Sequence, residues 1–101
     1  MNKVLFINAC VRPESRTCRL AREVLKRLPG EPEELRLYEE PIEPLDQETL
    51  EKRTELVARG DYRDPLFLYA KQFAQAADIV VAAPYWDLSF PSILKVYLEQ
   101  I

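Results

Sequence analysis

An open, doubly wound α/β sheet is the fold class predicted for this chain, and three observations predict it. Val4-Leu-Phe-Ile7 and Asp78-Ile-Val-Val-Ala-Ala83 are apolar runs of the kind buried on both faces of a parallel sheet. Each run passes through a polar or proline-marked loop into a helical pattern. The resulting order, β-α-β-α-β-α, belongs to sheets covered by helices on both sides.

Val4 to Ile7 reads as a central strand, because nothing in it alternates. From Ser15 to Leu28, Leu20, Val24 and Leu28 recur every four residues with Ala21 and Leu25 beside them, and Pro29-Gly30 stops the pattern. This is the first helix. Glu34 to Glu39 alternates polar with apolar, which suits a strand at the sheet edge. The segment Glu40 to Pro44 is acidic and proline-punctuated. Asp46 to Arg59 then carries a weak helical pattern through Leu50, Leu56 and Val57, expected to pack loosely on the sheet.

Asp64-Pro65 supplies an N-cap and a proline at the first helical position, and Leu66, Tyr69, Ala70, Phe73 and Ala77 continue on one face. The third strand follows directly and stops at Pro84. A last helix begins near Pro91 and runs through Leu94, Tyr97, Leu98 and Ile101. The usual doubly wound pattern gives strand order 2-1-3. That order leaves the apolar third strand without an outer neighbour, and such edges invite aggregation. The final helix also has no stop signal at Ile101. The expectation is that residues 1–101 form one domain unit that is the N-terminal part of a longer one, with strands 4 and 5 missing.

The bulk numbers exclude several classes. With 101 residues, 48 % of them hydrophobic and 31 % charged, the chain has the composition of an ordinary soluble protein. No run approaches the roughly 18 apolar residues of a membrane span. The start shows no export signal, so the cytoplasm is the expected location. A formal charge of −3 without a basic block argues against nucleic acid. Two cysteines, Cys10 and Cys18, and no histidine remove most zinc patterns.

The loop between the first strand and first helix is the strongest functional signal. A helix start offers unpaired N–H groups and the positive end of its dipole to an anion. Ser15 and Thr17 add hydroxyls, and Arg12 and Arg16 add charge. A phosphate monoester fits that set. The loop after the third strand, Ala82-Ala-Pro-Tyr-Trp-Asp-Leu-Ser-Phe-Pro-Ser-Ile-Leu-Lys95, offers aromatic surface. Both loops leave carboxyl ends of neighbouring strands, where open α/β sheets hold their ligands.

In these two stretches the sequence resembles the flavodoxin-like NAD(P)H-dependent flavin oxidoreductases, including quinone and azo reductases and FMN reductases. Their first loop, of the kind Ser-x-Arg-x-x-Ser-x-Asn/Thr, holds the FMN phosphate; here it is Cys10-Val-Arg12-Pro-Glu-Ser15-Arg16-Thr17. Their second loop, Ala-Pro-Met-Tyr-Asn-Phe-Ser-Ile-Pro, cups the ribityl chain and ring; here Pro84, Tyr85, Trp86, Asp87 and Leu88 stand at those positions. The resemblance implies FMN as cofactor, NADH or NADPH as co-substrate, and a quinone, azo, nitroaromatic or flavin acceptor reached by hydride transfer. It implies no catalytic side chain and a homodimer with flavin at the interface. Cys10 replaces a common serine and offers only a weak S–H donor, and Asp87 replaces the usual asparagine.

Two other readings stand beside it. Cys10-x5-Arg16-Thr17 also resembles the C-x5-R-[S/T] cradle of low-molecular-weight protein tyrosine phosphatases, in which a thiolate of lowered pKa attacks phosphorus. Against it stand Glu14, the absence of glycine from the loop, and the unused Tyr85-Trp86 pair. The other is a non-catalytic fragment of the flavoprotein. Purely structural roles also exist: capping for Ser15 and Thr17, a solvated face for Arg19, packing for Tyr85 and Trp86, and a small, partly buried side chain for Cys18. Asp61, Tyr62 and Arg63 face the same strand-end side and are not assigned to the site.

Overall fold

A computed structural model describes residues 3–11, 15–84 and 90–101. Three parallel strands, β1 (Val4–Asn8), β2 (Pro32–Arg36) and β3 (Asp78–Ala82), stand in the order β2-β1-β3. The expected 2-1-3 arrangement is therefore present. Val4 is level with Pro32 and Asp78, and Asn8 with Arg36 and Ala82, so Asn8, Arg36 and Ala82 share the carboxyl edge of the sheet.

The central strand explains the layering, because alternate residues of β1 project to opposite faces. On one face Leu5, Ile7 and Ala9 join Leu35, Leu37, Leu94 and Tyr97, with Tyr69 and Phe73 packed against them. On the other, Val4 and Phe6 meet Cys18, Ala21 and Leu25. Helix α1 (Arg16–Leu25) covers this second face, whereas α3 (Leu68–Gln75) and α4 (Ser92–Glu99) supply cover for the first.

The buried stripe of α1 differs from the one expected. Cys18, Ala21 and Leu25 point inward, while Leu20 is 68 % and Val24 43 % exposed. Small residues at 18 and 21 let the helix lie close to the sheet, so the bulkier leucine and valine fall on the rim. Cys18 is fully buried rather than partly so.

β2 also starts and ends two or three residues earlier than the alternation suggested. It pairs over Pro32 to Arg36, and Leu37–Glu39 then forms a 3₁₀ turn. Leu35 and Leu37 still reach the same core face. Asp64 caps the next 3₁₀ turn, Pro65–Phe67, by accepting from Leu66 N–H, and α3 begins one residue later. Ala77 lies beyond that helix and is exposed.

The weakly patterned segment forms α2 (Gln47–Ala58), with Asp46 accepting from Thr49 N–H at 2.7 Å. Only Leu56 of this helix is buried. Polar contacts hold the excursion instead. Arg53 donates to Glu99 O at 2.7 Å, Gln100 donates to Glu43 O at 2.5 Å, and Lys52 pairs with Asp64. Arg53 thereby satisfies a carbonyl that the end of α4 leaves open. Among the described residues no helix is long and apolar enough to cross a membrane.

Candidate functional site

The carboxyl edge of β1 is organised by Asn8, a buried polar residue at the end of an apolar strand. Its Oδ1 accepts from Cys10 N–H at 2.9 Å, and its Nδ2 donates to Glu34 Oε2 at 3.2 Å. These bonds turn the chain out of the strand and tie that turn to β2. Ala9 N–H donates to Ala82 O at 2.8 Å, which ties it to β3 as well. The exit of β1 is thus fixed to both neighbours.

Glu34 is the electrostatic hub beneath this turn. Arg22 grips both of its oxygens, at 3.2 and 3.4 Å, and Arg36 Nε donates to Oε2 at 2.7 Å. Burial alone would raise this carboxyl, but the hydrogen bonds from Arg36, Arg22 and Asn8 outweigh it and hold it below its ordinary value. Arg22 also lies over the Phe6 ring at 5.5 Å, so it spans core and surface. Asn8, Cys10, Arg22, Arg36 and Tyr38 help line a small cleft of about 90 Å³ at this edge.

Ser15 is the N-cap of α1, as the sequence suggested it could be. Its backbone is extended, and its Oγ accepts from Cys18 N–H at 3.0 Å. The cap uses an oxygen lone pair, and the hydroxyl also hydrogen-bonds with the Cys10 thiol, an interaction that favours the thiolate. The first turn carries no acidic residue. Arg16 is its exposed opening residue and pairs with no carboxylate among the described residues. The donor set fits an anion: a helix start, a hydroxyl and a guanidinium, with no opposing carboxylate in the turn.

Thr17 is partly buried and borders a cavity of about 400 Å³ together with Ile7, Val81, Ala83 and Leu94. Its lining is mostly apolar, and its size is that of a small-molecule site. Pro84 is partly buried, two residues past the end of β3. Arg12, Tyr85, Trp86, Asp87 and Leu88, the other expected site residues, lie outside the described residues, as does Glu14.

Cys10 bears on the phosphatase reading. Its Sγ lies 3.7 Å from Ala82 O, partly buried between the ends of β1 and β3. Burial pushes the thiol up; the hydrogen bond with Ser15 is the next largest effect and opposes it, Cys18 adds to the rise, and Arg22 opposes it least. A phosphatase nucleophile needs the reverse shift. Asp61, Tyr62 and Arg63 form their own group: Arg63 pairs with Asp61 at 3.1 Å, and Tyr62 meets Phe67 edge-on.

Sequence reasoning missed Asn8, Arg22 and Glu34. The one available signal was Asn8 itself, a carboxamide closing a strand otherwise made of core residues. Arg22 gave none, because its partner comes from another element.

Comparison with known proteins agrees with this geometry. A family model described as having the flavodoxin-like fold matches residues 2–101. The FMN-dependent NADH:quinone oxidoreductase 2 of Clostridium acetobutylicum is 38 % identical over 109 residues, covering 100 % of this chain and 54 % of that protein. The FMN-dependent NADH:quinone oxidoreductase of Clostridium beijerinckii is 37 % identical over 108 residues, with the same coverage. Among solved structures, an azoreductase from Bacillus anthracis superposes with a TM-score of 0.77 at 24 % identity, covering 99 % of this chain and 55 % of its own. An FMN-dependent NADH-azoreductase from the same species, in complex with FMN, gives 0.75 at 24 % identity, covering 100 % and 55 %. At that identity the structures speak for the fold. The chain spans about half the length of the curated relatives it matches.

Proposed function

Because the chain belongs to the family with the flavodoxin-like fold, we propose that it serves an FMN-dependent NADH oxidoreductase acting on quinone or azo acceptors. One observation carries the reading. The β1–α1 junction, whose Ser15-capped helix start carries no acidic residue, lies within the stretch aligned to relatives named as FMN-dependent NADH:quinone oxidoreductases.

When bound, FMN supplies hydride transfer between NADH and the acceptor. The chain's own residues bind and orient. Ser15 Oγ–H and the N–H groups at the start of α1 donate to the phosphate, and Arg12 and Arg16 balance its charge. Cys10 takes the place of a stronger hydroxyl donor at the same loop. Thr17 stands where that loop meets the apolar cavity. By the resemblance, Pro84 together with Tyr85, Trp86, Asp87 and Leu88, the last four outside the described residues, would hold the ring. No side chain is assigned as acid or base. The proposal includes a homodimer with the cofactor at its interface and a cytoplasmic location.

The test is to load the chain with FMN, remove the excess, and follow NADH consumption with a quinone or an azo dye. Retained FMN and NADH loss that depends on the acceptor support the reading. Retained FMN that NADH does not reduce, or no retained FMN, overturns it for this chain.

A further inference from the structure

Asn8 is buried at the end of β1, and its carboxamide touches three elements. Its Oδ1 accepts from Cys10 N–H at 2.9 Å, where the loop leaves the strand. Its Nδ2 lies 3.2 Å from Glu34 Oε2 on β2 and 3.8 Å from Cys18 Sγ in the first turn of α1. That same turn is closed by Ser15 Oγ, which accepts from Cys18 N–H at 3.0 Å.

A carboxamide has one end that donates and one that accepts, and turning it over exchanges them. Glu34 decides which way this one lies. An ionised carboxylate only accepts, so it draws Nδ2 to itself and leaves Oδ1 for Cys10 N–H. In the reverse orientation two oxygens would oppose each other, and Cys10 N–H would face a donor. Glu34 is itself held in place, because Arg22 binds both of its oxygens and Arg36 Nε binds one of them.

We infer that Glu34, acting through Asn8, is a positioning residue for the loop that leads from β1 to the start of α1, and thereby for recognition of a phosphate there. The phosphate rests on the reading under Proposed function; the setting of the loop does not. Glu34 makes its contribution from β2, by fixing a carboxamide that fixes the first residue of the loop. Without it the carboxamide can turn over, Cys10 is released, and Ser15 and Arg16 lose the fixed approach that lowers the ordering cost of binding an anion.

The experiment uses the full 101-residue chain as parent, Glu34→Ala, Glu34→Gln, Asn8→Ala and the double variant Asn8→Ala/Glu34→Ala. It reads affinity for FMN and riboflavin, and amide hydrogen exchange at Cys10 against Phe6 and Ile7 inside β1. Glu34→Ala should narrow the preference for FMN over riboflavin at least about threefold, and speed exchange at Cys10 at least about tenfold relative to Phe6 and Ile7. Glu34→Gln, whose amide oxygen can still accept from Asn8, should keep most of both. In the Asn8→Ala background, Glu34→Ala should add nothing, because the two substitutions act through one carboxamide. Exchange at Cys10 that is unchanged, or that rises only in step with Phe6 and Ile7, overturns the inference, since a merely structural role predicts it. Equal weakening of FMN and riboflavin overturns the link to the phosphate. Glu34→Ala decides alone where Asn8→Ala does not fold. A parent chain that binds neither flavin counts against Proposed function, and exchange at Cys10 still decides whether Glu34 sets the loop.

Discussion

The two flanks of β1 are the same length and orientation but have opposite chemistry. β2 begins with proline, exposes most of its residues, and carries Glu34 locked between Arg22 and Arg36. Proline and charge are standard means of protecting an edge. β3 is apolar after Asp78, yet Val81 is 47 % exposed and borders the cavity of about 400 Å³ shared with Thr17 and Leu94. One flank is finished by electrostatics; the other presents apolar surface beside the helix start that suits a phosphate. Charged and apolar surface are thus separated across one central strand.

Substitution on the strand shared by both flanks sets the scale. Ile7 is fully buried, so Ile7→Ala should cost about 2–5 kcal/mol in urea unfolding. A loss below about 1 kcal/mol would mean that the two flanks do not depend on a common core. The β2 flank should respond next. Glu34→Gln should cost roughly 1–2 kcal/mol, because it removes a carboxylate held by charged hydrogen bonds. The pH dependence has a definite sign: the folded carboxyl lies below its ordinary 4.5. Its contribution is therefore complete above about that pH and is lost as pH falls through the lower folded value. The variant should lose part of the acid sensitivity, and identical unfolding curves from pH 3 to 6 would break the comparison.

Two smaller effects concern the β3 side. Tyr97 is fully buried, its hydroxyl has no partner among the described residues, and burial, aided by Tyr69, pushes its pKa up to about 12. Tyr97→Phe should leave stability unchanged or raise it by about 1 kcal/mol, since an unpaired buried hydroxyl carries a desolvation cost. A clear loss would reveal a partner for that hydroxyl. Val81→Lys should change stability by no more than about 0.5 kcal/mol while reducing self-association in light scattering. Equal scattering by the parent and the variant would show that this flank is not an associating surface.

The fold was legible where burial alone decided it. Continuous apolar runs marked β1 and β3, and alternation marked β2 as an edge, but alternation reports which side a residue faces and not which residues pair. Leu35 and Leu37 therefore kept their face while the ladder moved toward Pro32. The face of α1 was harder, because a period of four is shared by two adjacent stripes and close approach to the sheet favoured Cys18 and Ala21 over Leu20 and Val24. Ser15 could be read as a cap from its position. Asn8 could not be read as an organiser, because its partner Glu34 arrives from a strand 26 positions away. The upward shift of the Cys10 thiol comes mainly from burial, which loop composition does not display.

The central claim is that the start of α1 binds the phosphate of FMN. The most direct measurement titrates the chain with FMN and with riboflavin, which differ by that phosphate, for the parent and for Ser15→Ala. Binding of FMN at least about tenfold tighter than riboflavin, a gap of about 1.4 kcal/mol, with the gap reduced by Ser15→Ala in a folded variant, is the predicted result. Equal affinity for the two flavins, or a preference that Ser15→Ala leaves untouched, would contradict it.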